Sequence, residues 1–344
     1  MMKQNIQALF NPQSIAIIGA SNTPGKIGYF IVKNMLESGF TGRIFPVNPG
    51  SDEILGLKVI KKISQLPVKP DLAVICVPRQ FVLSVLKELG QIGTRAVIVI
   101  SAGFKETGKD GFLIEQELAD VARQYNIALL GPNCLGLINP HAKVNASFAQ
   151  GHPRPGNIAF FSQSGALCVA ILDWALGGNI GFSKFISLGN KAILDEADMI
   201  AYLGKEEKTK VILGYIENVC CGERFIAEAL KVTHQKPIIM IKSGTTSAGI
   251  KAASSHTGAM AGSDQAYTAA FKKAGIIRVG DVETLFNLAR AFSTQPLPQG
   301  PNLAILTNSG GPGIMAADVC ERSALNVASM SSAIVHKLQK VLPP

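Results

Sequence analysis

Residues 14–28 read SIAIIGASNTPGKIG. The apolar run Ser14–Ile18 has the length of a buried strand, Gly19 ends it, and from Ile27 to Ser38 apolar residues recur at helical spacing until Gly39. Strand, small-residue turn, helix is the opening of a βαβ unit. The pattern continues through strands at Arg43–Val47, Leu72–Val77, Ala96–Ile100 and Ile127–Leu130, with helices at Phe81–Gln91 and Gly111–Tyr125. Alternation of this kind predicts an α/β fold with a parallel, doubly wound sheet. Such strands are covered on both faces and read as unbroken apolar runs. That accounts for 47% hydrophobic residues and a mean hydropathy of +0.25 without a membrane, since no run approaches the ~18–20 apolar residues of a spanning helix. The opening MMKQNIQALF has one Lys and no sizeable apolar core, which argues against a signal peptide.

The 344 residues predict two domains and a remainder at ~150 residues per domain. The first domain is expected over 1–140. Residues 141–156, HAKVNASFAQGHPRPG, are polar and rich in Pro and Gly, and read as a linker. A second α/β block is expected over 157–294. Its strands are Asn157–Phe161, Phe182–Ser187, Val211–Ile216, Pro237–Ile241 and Ile276–Val279. Its helices are Gly165–Leu176, Glu196–Leu203, Glu223–Thr233, Asp264–Ala274 and Val282–Phe292. Then the chain repeats itself: NIAFFSQSG at 157–165 returns as NLAILTNSG at 302–310. Both copies run a strand into a Ser-Gly turn. A third domain of the second type is therefore expected over 302–344, incomplete at Pro344.

Thirty-three basic and 24 acidic residues give a formal charge of +9. The basic residues are scattered and aromatics are only 6%, which disfavours nucleic acid, where a basic stripe with interleaved aromatics is wanted. The charge suits either a solvated surface or a small polyanionic ligand. The six cysteines form no CxxC pair. They read as reduced, mostly buried thiols of a cytoplasmic protein, with no zinc site and no other metal expected.

Four stretches could carry chemistry. In Gly19–Gly28, small residues between strand and helix would let backbone N–H groups approach a phosphate. The loop is not a dinucleotide fingerprint, because Ser21 replaces the middle Gly, nor a Walker A loop, because Ile27 follows Lys26. An NAD site would want an acidic residue after the second strand, where Asn48-Pro49 stands. This disfavours a nicotinamide-dependent dehydrogenase and favours another nucleotide-containing ligand; a plain βα turn is the alternative. Ser162-Gln163-Ser164-Gly165 and Thr307-Asn-Ser309-Gly310 are ordinary N-caps or anion sites. His256, in Ser254-Ser-His-Thr-Gly-Ala-Met-Ala-Gly262, has only small neighbours and no companion ligand, as suits a nucleophile, a proton carrier or a surface loop. Glu217 ends a strand on the side where open α/β sheets place their sites, and could orient an imidazole or be solvated.

Together these residues resemble the α part of the NDP-forming acyl-CoA synthetases (acetate–CoA ligase, ADP-forming), relatives of the succinyl-CoA synthetase α subunit. The matching segments, in order, are Gly19-Ala-Ser21…Pro24-Gly25-Lys26-Ile-Gly28, Phe45-Pro-Val-Asn-Pro49, Cys76-Val-Pro78, Ser101-Ala-Gly-Phe-Lys-Glu106, Gly131-Pro-Asn-Cys-Leu-Gly136, Ser162-Gln-Ser-Gly165, Ser187-Leu-Gly-Asn190, Tyr215-Ile-Glu217 and Ser255-His-Thr-Gly258. The resemblance implies a Rossmann-like CoA-binding domain, a flavodoxin-like ligase domain and the start of a second one. CoA would be a substrate, lined by Gly19, Ala20, Ser21, Gly25, Lys26, Val47, Asn48, Pro49, Val77, Pro78, Ser101, Ala102, Gly103, Asn133 and Cys134. His256 would become phosphohistidine, Glu217 would orient it, and Ser162, Gln163, Ser164 and Gly165 would hold phosphate. ATP or ADP with Mg2+ is expected at an ATP-grasp domain not present in this chain, on a partner β subunit, with a small carboxylic acid as the other substrate and an oligomer as the working form. The alternative is a CoA-binding module without turnover of its own: a truncated chain, or the regulatory part of a protein acetyltransferase.

Overall fold

The computed structural model describes residues 2–178, 180–246, 249 and 263–342. Five strands form the first sheet: β1 (Ser14–Ile18), β2 (Arg43–Val47), β3 (Leu72–Ile75), β4 (Ala96–Val99) and β5 (Ala128–Leu130), in the order β2-β1-β3-β4-β5. Every pairing is parallel. All residues of β1, β3, β4 and β5 are buried, as their apolar runs require. Helices α2 (Ile27–Glu37), α3 (Arg79–Gln91) and α4 (Lys109–Gln124) connect them.

The second sheet has seven strands: β6 (Gly136–Asn139), β7 (Val144–Ser147), β8 (Pro155–Ser162), β9 (Phe182–Ser187), β10 (Val211–Ile216), β11 (Ile238–Lys242) and β12 (Ile277–Val279). The order is β12-β11-β10-β8-β9-β6-β7. The first five positions are parallel, and β6 and β7 extend the sheet antiparallel. Its described helices include α5 (Gly165–Gly177), α6 (Glu196–Lys205), α7 (Gly222–Thr233), α8 (Asp264–Ala274) and α9 (Val282–Thr294). Residues Met1–Thr294 make one compact unit and Gln295–Pro344 another.

Two features differ from the reading of the sequence. Residues 141–156 are not a linker: β7 lies within them, fully buried, and β8 begins at Pro155. The segment's polarity misleads because its polar groups are satisfied inside. Ser147 Oγ donates to Asn145 Oδ1 at 2.6 Å, and Asn34 Nδ2 on α2 donates to the carbonyls of Ser147 (2.8 Å) and Ala149 (2.7 Å). Strand β6, placed in the first domain by the sequence, likewise pairs with β9 of the second sheet. The N-terminal residues also fold, as helix α1 (Met2–Phe10), with Leu9 and Phe10 fully buried and Phe10 stacked 4.5 Å from Tyr202 of α6.

In the second unit, β13 (Asn302–Leu303) and β14 (Asn326–Val327) pair in parallel around α10 (Gly310–Arg322), and α11 (Ser332–Gln339) follows. The internal repeat extends to hydrogen bonds. Ser162 Oγ donates to the Ser164 carbonyl and accepts from its amide, both at 3.0 Å, and Thr307 Oγ1 does the same for Ser309 at 3.0 and 3.1 Å.

One glycine fixes how α2 meets its sheet. A Cβ on Gly28 would lie 2.1 Å from the Gly19 carbonyl oxygen, and backbone cannot yield as a flexible side chain would. Gly28→Ala is expected to cost about 2 kcal/mol or more, seen as a lower unfolding temperature; an unchanged temperature would mean that the close approach is not needed.

Candidate active site

The residues expected around CoA come from five loops at the carboxyl ends of the first sheet. The chain turns at Gly19 (φ +93°), whose amide donates to the Val47 carbonyl at 3.0 Å. Asn48 ties the next loop down: its Nδ2 donates to the Ala20 carbonyl and its Oδ1 accepts from the Gly50 amide, both at 2.7 Å. Ser101 Oγ donates to the Val77 carbonyl at 2.5 Å, and the Asn133 amide donates to the Ser101 carbonyl at 3.0 Å. Gly25 and Lys26 are exposed. Lys26 and Pro78, which precede α2 and α3, make no side-chain cap. The first two amides of each helix are therefore left without a side-chain cap, the condition under which a helix start accepts an anion.

Not every expected lining residue offers its side chain. Ala20, Val47 and Cys134 are 0, 4 and 4% exposed and belong to the core. The Cys134 thiol meets the Val99 carbonyl, and burial pushes its pKa up to about 12. At these positions only backbone can face a ligand.

The second group lies at the carboxyl ends of β8 and β10. Ser164 caps α5 by accepting from the Leu167 amide at 3.2 Å. Ser162 is fully buried, with its hydroxyl spent inside the turn. Gln163 acts as a clamp: Oε1 accepts from the amides of Glu217 (2.8 Å) and Asn218 (3.1 Å), and Nε2 donates to the Asn218 carbonyl at 2.7 Å. Of the four residues expected to hold phosphate, Gln163 thus positions the Glu217 loop, and space for a ligand is left beside Gly165, whose Cα has nothing within 4 Å of an added Cβ. Glu217 is 9% exposed.

His256 lies outside the described residues, but both stems of its segment are placed. Before it, the Ser243 amide donates to the Ile216 carbonyl at 3.0 Å. After it, Tyr267 on α8 accepts from the Val219 amide at 3.2 Å. The stems therefore attach on either side of Glu217. They also meet each other, since the buried Lys242 ammonium sits 4.4 Å from the Tyr267 ring centre. Burial pulls Lys242 below the ordinary lysine pKa, opposed by Asp264 and Glu217.

Two adjacent residues join the two groups: Asn190, which ends the matching segment Ser187–Asn190 but carries no expected role, and Lys191, which the sequence does not single out. Asn190 Nδ2 donates to Glu106 (2.6 Å) and Glu115 (2.8 Å), and its Oδ1 accepts from Asn133 Nδ2 at 3.3 Å. Burial works against the Glu106 charge, but Asn190 and the amides of Gly103 and Phe104 hold its carboxyl below the usual range. Lys191, with φ +62°, turns the other way. Its Nζ donates to Glu196 at 2.9 Å and to the backbone and side-chain oxygens of Asn218 at 2.9 and 2.8 Å. Lys191 and Glu196 are 8 and 0% exposed. Their only trace in the sequence is the segment Ser187–Asn190 before them; nothing in a charge pattern marks a lysine as buried. Asp195, Glu196 and Cys220 also have ligand atoms within 4.8 Å of one another, but Arg224 and Lys191 already neutralise the two carboxylates.

Residues 13–140 match the CoA binding domain family and residues 155–292 the succinyl-CoA ligase like flavodoxin domain family. The α subunit of ADP-forming acetate–CoA ligase II from Pyrococcus furiosus is 45% identical over 97% of this chain and 73% of its own length. The α subunit of the same organism's ligase I is 47% identical over 94% of this chain and 71% of its own. The chain belongs to the ADP-forming acyl-CoA synthetase α subunits. Its fold agrees: the structure of Ca. Korarchaeum cryptofilum dinucleotide-forming acetyl-coenzyme A synthetase 1, in complex with phosphate and ADP, superposes with a TM-score of 0.92. That structure is 41% identical, over 98% of this chain and 73% of the other. This α subunit is therefore a ligase component. A CoA-binding regulatory module is not favoured, because these ligase relatives match nearly its whole length. Among the described residues no helix is long and apolar enough to cross a membrane.

Proposed function

We propose that this α subunit binds CoA on its first sheet and carries a phosphoryl group on His256, joining a small carboxylic acid to CoA at the expense of a nucleoside triphosphate. In the direction that makes nucleotide, phosphate attacks the acyl-CoA carbonyl, releasing CoA and leaving an acyl phosphate. A neutral imidazole nitrogen of His256 then attacks the phosphorus and the carboxylate leaves. Glu217 orients the ring and stabilises its positive charge, while first-turn amides beside Gly165 hold the phosphoryl oxygens. His256 then passes the phosphoryl group to ADP, which an ATP-grasp β subunit would hold together with Mg2+. Acetate is the acid named for the Pyrococcus relatives, and we adopt it. On this reading the first sheet, through β5, is the CoA-binding domain, the second sheet from β6 to α9 is the phosphohistidine domain, and residues 302–344 belong to a second ligase domain. The working form is a cytoplasmic oligomer of α and β chains, without nucleic acid or membrane partners.

The observation that carries the proposal is the pair Asn190-Lys191. One residue is bonded to the CoA-side loops and the next to the Glu217 loop, so the two candidate sites share one rigid junction. The test is to supply acetyl-CoA, ADP and phosphate and to follow free CoA thiol. Turnover is expected only with an ATP-grasp β subunit present; release of CoA at the same rate from the α chain alone would refute the division of labour.

A further inference from the structure

The loop that follows Glu217 reads Glu217-Asn-Val-Cys220-Cys221 and leads into α7. Its backbone amides are held by side chains from three other elements: Gln163 takes those of Glu217 and Asn218, Tyr267 that of Val219, and Glu196 Oε1 that of Cys220 at 2.8 Å. Glu196 is in turn bonded to Lys191, which holds Asn218. The two cysteines within this pinned loop are both exposed, whereas Cys134, Cys168 and Cys320 are buried and Cys76 is half-buried. Cys221 stands at the N-cap of α7 with no side-chain bond to its amides. Solvent-borne reagents therefore meet two neighbouring thiols three and four residues beyond Glu217.

Resting on the function proposed above, we propose that Cys220 and Cys221 are a reversible thiol-modification site, closed by low-molecular-weight disulfides into a vicinal disulfide that disables the Glu217 loop. One cysteine thiolate attacks the reagent's S–S bond and expels one reagent thiolate, leaving a mixed disulfide. The neighbouring thiolate attacks the protein sulfur of that bond and expels the second. The cysteine pair loses two electrons, the reagent disulfide gains them, and the two thiol protons pass to solvent or to the released thiolates.

The geometry explains why closure is felt at Glu217. Neighbouring Cα atoms across a trans peptide are about 3.8 Å apart, and disulfides span about 4.4–6.8 Å between Cα atoms. The 220–221 backbone must therefore deform, and the Cys220 amide is drawn off Glu196. Glu196 then keeps Lys191 with one bond fewer, and the Lys191 tether on Asn218 slackens. A bond made against such strain is readily reduced, which places it with labile, regulatory disulfides.

The test treats the purified α chain with oxidised glutathione, alkylates the remaining thiols and digests with trypsin. Peptide 211–224, VILGYIENVCCGER, is expected to lose the mass of two hydrogen atoms and to resist alkylation. Hydrogen exchange at the Cys220 amide is expected to rise ~10-fold or more and to return on adding dithiothreitol. Cys221→Ser, which cannot close the ring, keeps that amide protected. With a β subunit present, phosphoryl transfer falls by ~10-fold or more and recovers on reduction. Only mixed disulfides in the peptide, or a closed pair with unchanged amide exchange, would overturn the proposal. An untreated enzyme that transfers nothing would count against the function proposed above, while the mass and exchange readouts still decide this one.

Discussion

His256→Ala is expected to abolish nucleotide-linked turnover by this α subunit and its β partner, a fall of ~10^4-fold or more. The magnitude follows from the role. A residue that carries the transferred group cannot be replaced by water without losing both the nucleophile and the covalent relay between two sites. CoA binding should survive, because the expected CoA loops sit on the first sheet and the stems of the His256 segment attach to the second, at Ile216 and Val219. Calorimetry should give a CoA affinity within about twofold of the parent. Glu217→Gln, which keeps the clamp of Gln163 on the backbone but removes the charge, should fall between the two, at ~10^2–10^3-fold slower turnover. Equal turnover of His256→Ala and parent would remove the phosphoryl carrier from the account.

Lys191→Met is expected to have the largest effect on stability. The substitution leaves the Glu196 carboxylate fully buried with its cation gone, and strips Asn218 of two hydrogen bonds. Breaking one partner of a buried pair costs ~3–5 kcal/mol, which in a protein of this size lowers the unfolding temperature by roughly 10 °C. The double variant Lys191→Met, Glu196→Gln should recover part of the loss, since no buried charge is then left uncompensated, although Gln still accepts from the Cys220 amide. A double variant less stable than the single one would show that the ion pair is not the reason. Thermal unfolding of the parent, the single variant and the double variant in parallel decides this.

These two predictions stand at opposite ends of what the sequence shows. His256 and Glu217 stand out in the sequence as candidates because a loop of small residues and a strand end have few uses for such side chains. Strands β1, β3 and β4 were legible because a doubly covered parallel strand has no polar face to confuse the pattern. Strand β7 was not: its Asn145 and Ser147 satisfy each other and α2 in three dimensions, and their one-dimensional signature is that of a linker. Lys191 and Glu196 were hidden for the same reason, since burial of a charged pair is a property of its neighbours. Gln163 shows a subtler limit. Its place beside the repeated Ser-Gly turn pointed to phosphate, yet the structure spends its amide on the Glu217 loop. The copy at 302–310 puts Asn308 at the matching place, so the turn is repeated and the Gln is not.

The central claim is that one histidine receives phosphate that entered as acyl phosphate. The direct measurement supplies acetyl-CoA and 32P-labelled phosphate to the α subunit and its β partner without nucleotide, then digests with trypsin at alkaline pH. The account predicts acid-labile, base-stable label confined to peptide 252–272, AASSHTGAMAGSDQAYTAAFK. Label that survives acid, or that lies on any other peptide, would contradict it.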